Sequence, residues 1–363
     1  MKNAILKKLV RFLQRFLPKH PKRGRILVVA TTALGDTLWA TPALENLRRS
    51  FPDAYLAVLT RPIGIEIFKH NPSVDRLHLL KEPLLPSFLS LWKTLFQERF
   101  DTVLLFHASQ RLALPLCSLL GASRIVGTAG INKGLDSLLT DPLPPEQEHE
   151  IVRRLRIAEA VGAARKTQTL SFYLHSDERL QRKSEDKLRI AIHPGSKDGF
   201  KRWPAENFAA AGRLLKETFP CEIVITGNAS EKSLMEEVAS KIPGAQLYET
   251  RTTLRSFATL LEQMDLLISN DTGPVHLACA LERPVVALYS STDPRLCGPH
   301  LAKNAIALFK RPTCEPCLKW KCHSPFCFLQ FSPEEVFEAA VRLLNKKGPS
   351  CSSLLRVLPP SFV

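Results

Sequence analysis

Short, uninterrupted apolar runs bounded by turn residues recur along this chain, and they limit its fold more than any other feature. Residues 25–30 (RILVVA), 54–59, 102–106 (TVLLF) and 124–127 (RIVG) form one series. Residues 188–193 (LRIAIH), 222–226 (EIVIT), 265–269 (DLLIS) and 284–290 (PVVALYS) form a second. Each run is short, rich in β-branched residues and without polar alternation, which describes a strand covered on both faces. Helix-period segments lie between them, at 41–50 and near 110–119 in the first series and at 204–216, 230–240 and 274–281 in the second. Strands that alternate with helices imply right-handed crossovers and mostly parallel sheets. The series are separated by 176–187 (SDERLQRKSEDK), a charged, aperiodic stretch that reads as a linker. The 363 residues thus divide into two α/β domains, 25–175 and 188–331, each long enough for its own core. A closing helix is expected over 332–347, where Ser332-Pro333-Glu334-Glu335 supplies an N-cap, a first-turn proline and acids at the positive helix end. An irregular tail is expected over 348–363.

The charge is unevenly placed. The net charge is +15, and Lys2, Lys7, Lys8, Arg11, Arg15, Lys19, Lys22, Arg23 and Arg25 fall within the first 25 residues, with no acid among them. Ile5, Leu6, Leu9, Val10, Phe12, Leu13, Phe16 and Leu17 recur there at helical spacing, so 1–24 reads as a basic amphipathic helix. Such a helix suits either an anionic membrane surface or the protein's own body. No run of 18 apolar residues is present, so no membrane-spanning helix is expected. Cys117, Cys221, Cys279, Cys297 and Cys351 are scattered, which fits a reducing cytoplasm better than a disulfide framework.

In parallel sheets, ligands bind at the carboxyl ends of strands, so the turns that follow them carry the chemistry. The first turn is Thr31-Thr32-Ala33-Leu34-Gly35-Asp36-Thr37, with Gly35 suited to a tight turn and Asp36 at the sheet's mouth. The second, His193 to Pro204, brings Ser196, Lys197, Lys201 and Arg202 to a helix start, a combination that suits phosphate. It is not a P-loop. The third holds Gly227, Ser230 and Glu231, the last placed to bind a ribose hydroxyl. The fourth is Asn270-Asp271-Thr272-Gly273-Pro274-Val275-His276, where the N–H groups of Thr272, Gly273 and Val275 would form an anion nest flanked by Asp271 and His276.

Taken together, the segments 25–54, 193–208 (HPGSKDGFKRWPAENF), 265–294 (from DLLISNDTGPVHLACA), 314–322 (CEPCLKWKC) and 331–336 (FSPEEV) resemble glycosyltransferase family 9, the ADP-heptose:lipopolysaccharide heptosyltransferases. The resemblance covers about 25–346. It implies a GT-B fold of two Rossmann-like domains facing a central cleft, and an inverting transfer of heptose from ADP-L-glycero-D-manno-heptose to the inner core of lipopolysaccharide. By the same resemblance, Asp36 is the general base, and Lys201 contacts the donor phosphates. Asp271, Thr272, Gly273 and His276 hold the nucleotide sugar, with Ser196 and Glu231 as further donor contacts. The acceptor would be a lipid-linked anionic oligosaccharide at the inner face of the inner membrane. Arg61 and the basic residues near 111–124 are candidates for holding it. No Asp-x-Asp pair is placed to carry a divalent metal, so no catalytic cofactor is expected.

Cys314, Cys317, Cys322 and Cys327, with His323, are spaced C-x2-C-x4-C-x4-C, which suits a structural zinc. A zinc-knuckle reading, and with it nucleic-acid binding, is disfavoured because the basic excess lies at the other end of the chain. The alternatives within the fold are another nucleotide sugar, or an epimerase acting on one.

Overall fold

The computed structural model describes residues 2–180, 187–249, 253–314, 317, 321–322 and 326–346. The chain separates into two compact units, Met1–Tyr173 and Leu174–Val363.

The first unit is built on a sheet of β1 (Arg25–Thr31), β2 (Tyr55–Thr60), β3 (Arg76–Leu79), β4 (Thr102–Ala108), β5 (Arg124–Thr128) and β6 (Asp141–Leu143). Its order is β3-β2-β1-β4-β5-β6, and every pair is parallel. The second unit carries β7 (Leu188–His193), β8 (Cys221–Gly227), β9 (Gln246–Glu249), β10 (Leu266–Asn270), β11 (Val285–Tyr289) and β12 (Ala305–Phe309). Its order, β12-β11-β10-β7-β8-β9, is the same winding read from the other edge, and it too is parallel throughout. Apolar side chains on both faces of the central strands explain the unbroken runs: Leu27, Val28 and Val29 are all fully buried.

Helices cover each sheet. In the first unit, Leu27, Leu105, Phe100 and Leu116 belong to one cluster. In the second, helix Ala205–Thr218 and helix Pro333–Asn345 bury Phe208, Leu215, Val336 and Leu343 in another. Ser332 caps the latter helix, its hydroxyl accepting from Glu335 N at 3.1 Å. Trp203 is 1% exposed and meets Phe208 edge to face, so the Trp-Pro pair anchors its turn in the core. Removing a ring so placed costs about 3–5 kcal/mol.

Two expectations about chain ends and joints are corrected. Residues 176–180, expected to open a linker, are tied to the second unit. The Glu178 carboxylate binds Arg255, which is 7% exposed. Leu180 O accepts from Gln263 Nε2 at 2.7 Å. An acidic residue beside a buried guanidinium is held, so the charged composition there marks an ion pair rather than a free tether. The helix expected over 1–24 spans Lys2–Gln14. Its Val10 is 2% exposed within the first unit's cluster. Gln14 Nε2 donates to Ser118 O at 2.9 Å, and His20 N donates to Gly121 O at 2.9 Å. The tail 348–363 lies outside the described residues. No helix among the described residues is long and apolar enough to cross a membrane.

Candidate active site

Both sheets reverse direction once. In the first the reversal lies between β1 and β4, in the second between β7 and β10. Loops leaving two neighbouring strands at such a point diverge and open a crevice at the carboxyl edge. Asp36, Lys201 and Asp271 all follow one of these four strands.

In the first unit, β1 runs into the short helix Leu34–Leu38, with Asp36 in its first turn and its side chain 28% exposed. Gly35, expected to serve a tight turn, is helical and is not among the glycines with positive φ. Arg154, from helix Glu150–Glu159, places Nη2 4.0 Å from Asp36 Oδ1. The Arg154 side chain is 1% exposed and is fixed by Glu150, whose carboxylate and backbone oxygen both accept from Nη1 at 2.7 Å. Its guanidinium stands 5.4 Å from the Trp39 ring centroid. Burial works to raise the Glu150 carboxyl, but Arg154 and Arg153 hold it below its ordinary value. Two further nitrogens of Arg154, Nε and Nη2, are buried without a hydrogen-bond partner among the described residues. Leaving such donors unpaired costs about 1–3 kcal/mol each, which marks a place where a ligand or water belongs. Across the reversal, the β1–β4 register slips between Val29 and Ala30, so that Ala30 faces His107. A bulge of this kind re-aims side chains at a strand end. Burial pushes the His107 imidazole down, Arg154 pushes the same way, and Asp36 and Glu150 oppose them.

In the second unit the turn after β7 and the turn after β10 are stitched together. Asn270, fully buried, accepts from Trp203 N at 3.0 Å and donates to Pro194 O at 2.8 Å. Lys201 Nζ lies 2.6 Å from Asp271 Oδ2, with side chains 19% and 9% exposed. Helix Gly273–Ala280 begins beside this pair, Thr272 being its N-cap with no side-chain cap bond. The Thr272 hydroxyl is buried and unpartnered among the described residues, as are those of Tyr289 and Ser291 at the end of β11. The expected nest is smaller than the sequence implied: Val275 N donates to Thr272 O at 3.1 Å, which leaves Thr272 and Gly273 to supply it. Val275 is consumed because the helix opens with a tight turn at Pro274. His276 is 4% exposed, and burial lowers its pKa to about 4 against the opposing pull of Asp271. It is therefore neutral at pH 7, a donor and acceptor without charge. Burial likewise pushes His193 down, and its ring lies 3.1 Å from the Thr226 hydroxyl.

The remaining expected residues are less open. Ser196 is 4% exposed, and its carbonyl accepts from Arg202 at 2.6 and 2.9 Å. Glu231 is 5% exposed, and its Oε2 accepts from Asn228 N at 3.0 Å and Nδ2 at 2.8 Å, closing its own turn. A Cβ on Gly195 would come within 2.2 Å of Glu231 Oε1, so the glycine admits the carboxylate. Arg61 is paired with Glu82 at 2.6 Å. Arg124 opens β5 at the amino edge, pairs with Asp141 at 2.9 Å, and so leaves the acceptor candidates at the carboxyl edge. Of the four clustered cysteines, Cys327 is buried and accepts from Thr313 N at 3.4 Å. Among the described residues, no group of three or more His, Cys, Asp or Glu side chains is gathered as a metal site requires. His323 lies outside the described residues.

Sequence reasoning missed Arg154, Glu150, His107 and Asn270 as site residues. Arg154 sits in a run, Arg153-Arg154-Leu155-Arg156, that reads as a solvated basic face. Asn270 was visible in its turn, but its role depends on β7 and β10 being neighbours.

A profile described as glycosyltransferase family 9 (heptosyltransferase) matches residues 88–326. The lipooligosaccharide heptosyltransferase 2 of Campylobacter jejuni is 25% identical over 339 residues, covering 88% of this chain and 98% of that protein. Among solved structures, a family 9 glycosyl transferase from Veillonella parvula superposes with a TM-score of 0.76 at 22% identity, covering 89% of this chain and 97% of that one. The Escherichia coli heptosyltransferase WaaC with ADP gives a TM-score of 0.71 at 18% identity, covering 88% and 99%. At these identities the structural likeness establishes the two-sheet fold, which is the GT-B arrangement of such enzymes.

Proposed function

Since the chain belongs to glycosyltransferase family 9, the heptosyltransferases, we propose that it moves a heptose from ADP-heptose to the inner core of lipopolysaccharide, with Asp36 as general base and the Lys201–Asp271 edge as the donor site. The observation that carries this reading is the ion pair at 2.6 Å beside the open start of helix Gly273–Ala280. A cation, unpaired N–H groups and a helix dipole form a seat for a diphosphate. A relative of the same fold was solved with ADP, which supports that choice of leaving group.

In the proposed reaction Asp36 takes the proton of an acceptor hydroxyl as its oxygen attacks the anomeric carbon. The C–O bond to ADP breaks in the same displacement, so the configuration inverts and one carboxylate suffices. Charge grows on the departing phosphate, where Lys201 and the Thr272 and Gly273 N–H groups stabilise it. Preorganised donors of this kind contribute about 3 kcal/mol each. Arg154, fixed 4.0 Å from Asp36, sets a positive charge beside the carboxylate and offers its unpaired N–H groups toward the acceptor. Ser196, Glu231 and neutral His276 complete the donor's surroundings, Glu231 by shaping the turn that receives it. The acceptor is proposed to be lipid-linked and anionic, met at the inner face of the inner membrane.

The test is thermal shift against ADP, UDP and GDP sugars, followed by transfer from ADP-heptose. Selective stabilisation by ADP and ADP-heptose is expected, because a ligand that binds only the native state raises its stability. Equal response to UDP or GDP sugars would overturn the donor assignment.

A further inference from the structure

The helix Lys2–Gln14 and the residues just after it present two apolar faces, of which the protein covers only one. Toward the body, Val10 is 2% exposed and joins the core cluster with Leu6 and Leu17 packed beside it. Polar contacts hold the same side down, with Asn3 Nδ2 donating to Lys133 O at 2.8 Å and Gln14 Nε2 donating to Ser118 O at 2.9 Å. On the other side Ile5, Leu9, Phe12, Leu13 and Phe16 are 63, 52, 55, 40 and 71% exposed. Their spacing places them on one helical stripe roughly 100° wide, and the Phe12 and Phe16 rings meet edge to face at 5.1 Å. Large apolar residues clustered this way on a surface mark a site of association.

Charge decides what the stripe meets. Lys8 and Arg15 are exposed beside it, and Lys22 and Arg23 are exposed further on, while Arg11 and Lys19 donate to Ser137 O and Ala122 O of the body, each at 3.3 Å. No acidic residue occurs before Asp36. A second copy of this helix would bring like charges together, whereas an anionic bilayer satisfies both features at once. From this we infer that residues 2–16 dock the enzyme on an anionic lipid surface. The stripe of Ile5, Leu9, Phe12, Leu13 and Phe16 enters the headgroup–acyl boundary, and Lys8 and Arg15 lie at headgroup level. The helix does not need to unfold or detach to do this, because its inner face stays bonded to the first unit. The inference deepens the proposed reading, in which the acceptor is lipid-linked, but its binding test does not depend on that acceptor.

The experiment is co-sedimentation of the full chain with vesicles of phosphatidylethanolamine and phosphatidylglycerol, compared with phosphatidylcholine alone. Retention on the anionic vesicles is expected, weakening with salt. Phe12→Ser with Phe16→Ser should reduce it roughly 100-fold, since each buried aromatic ring is worth about tenfold or more. Lys8→Gln with Arg15→Gln should reduce it roughly 25-fold on anionic vesicles, at about fivefold per charge. These side chains are exposed, so the variants keep the fold, and transfer onto a soluble, lipid-free acceptor fragment should be unchanged in all of them. Loss of that transfer in the parent chain would count against the heptosyltransferase reading alone. Equal vesicle binding by parent and variants, no binding by the parent, or a lipid-free dimer abolished by the Phe variants would each overturn the docking inference.

Discussion

The two units wind their strands in the same order, yet their carboxyl edges carry opposite chemistry. The first presents a carboxylate, Asp36, backed by a guanidinium 4.0 Å away that is locked by Glu150. The second presents Lys201, the start of a helix, and hydroxyls at Thr272, Tyr289 and Ser291 that lack partners among the described residues. The winding supplies the place, and the side chains at the reversal supply the role. In the proposed reaction one edge accepts a proton and the other accepts a growing phosphate charge. Substitutions should therefore separate cleanly into effects on turnover and effects on donor binding.

The largest expected effect is at Asp36. Asp36→Asn should lower turnover about 10³- to 10⁴-fold, the upper part of the range for a lost general base, while ADP affinity stays within about twofold. Isothermal titration with ADP beside steady-state transfer measures both. A comparable loss of ADP affinity would show that the two edges do not divide the work. Next comes Lys201→Ala, which leaves the Asp271 carboxylate facing the donor site without its cation. Donor affinity should fall about 10- to 100-fold, since a charge-assisted bond is worth about 1.5–3 kcal/mol, and turnover should fall with it. Unchanged ADP affinity in this variant removes the second edge from donor binding.

Arg154 sharpens the comparison from the side of stability. Arg154→Leu strands the Glu150 carboxylate with only Arg153, 2.7 Å away, to balance it. The variant should lose about 3 kcal/mol in urea unfolding, the lower end for breaking a buried pair. Arg154→Lys, which keeps the charge but not the fork, should recover part of the stability and less of the turnover. If ADP affinity changes instead, Arg154 belongs to the donor and not to Asp36.

Much of this division was readable in the sequence, and what escaped has physical causes. The eight strands recognised from their apolar runs are those inside the sheets, and the four missed, β3, β6, β9 and β12, are the edges. An edge strand is wet on one side and short, so RLHL, DPL and QLYE carry no continuous apolar signal. The alanines of AIALF in β12 read as readily as helix. The turns that hold Asp36, Lys201 and Asp271 were visible because each follows a strand of strong pattern. Arg154 was not, because helical periodicity does not tell a guanidinium on the solvent from one buried against Trp39. Asn270 was seen but not understood, since its two partners lie in a turn 67 to 76 residues away in the chain.

The smallest effect separates the edges by pH. His276, in the second unit, is pushed down to about 4 by burial, whereas an unfolded chain titrates it near 6.5. Above about pH 6.5 the ring is neutral in both states and contributes no pH dependence. Below it the unfolded state takes up a proton that the folded state refuses, so stability falls as the pH drops and levels off only near pH 4. At about pH 5 the expected loss is about 2 kcal/mol from this one group. His107, His193 and His78, lowered in the same direction, add to the slope of the whole protein. His276→Asn keeps a neutral polar side chain of similar size and removes the titration. Its urea midpoint at pH 7 should fall modestly, while its additional loss on going to pH 5 should be smaller than the parent's by about 2 kcal/mol. Parallel pH curves for the two proteins would mean that the ring is hydrated enough to titrate normally, and that the pocket beside Asp271 is not the dry, preorganised site the donor assignment requires.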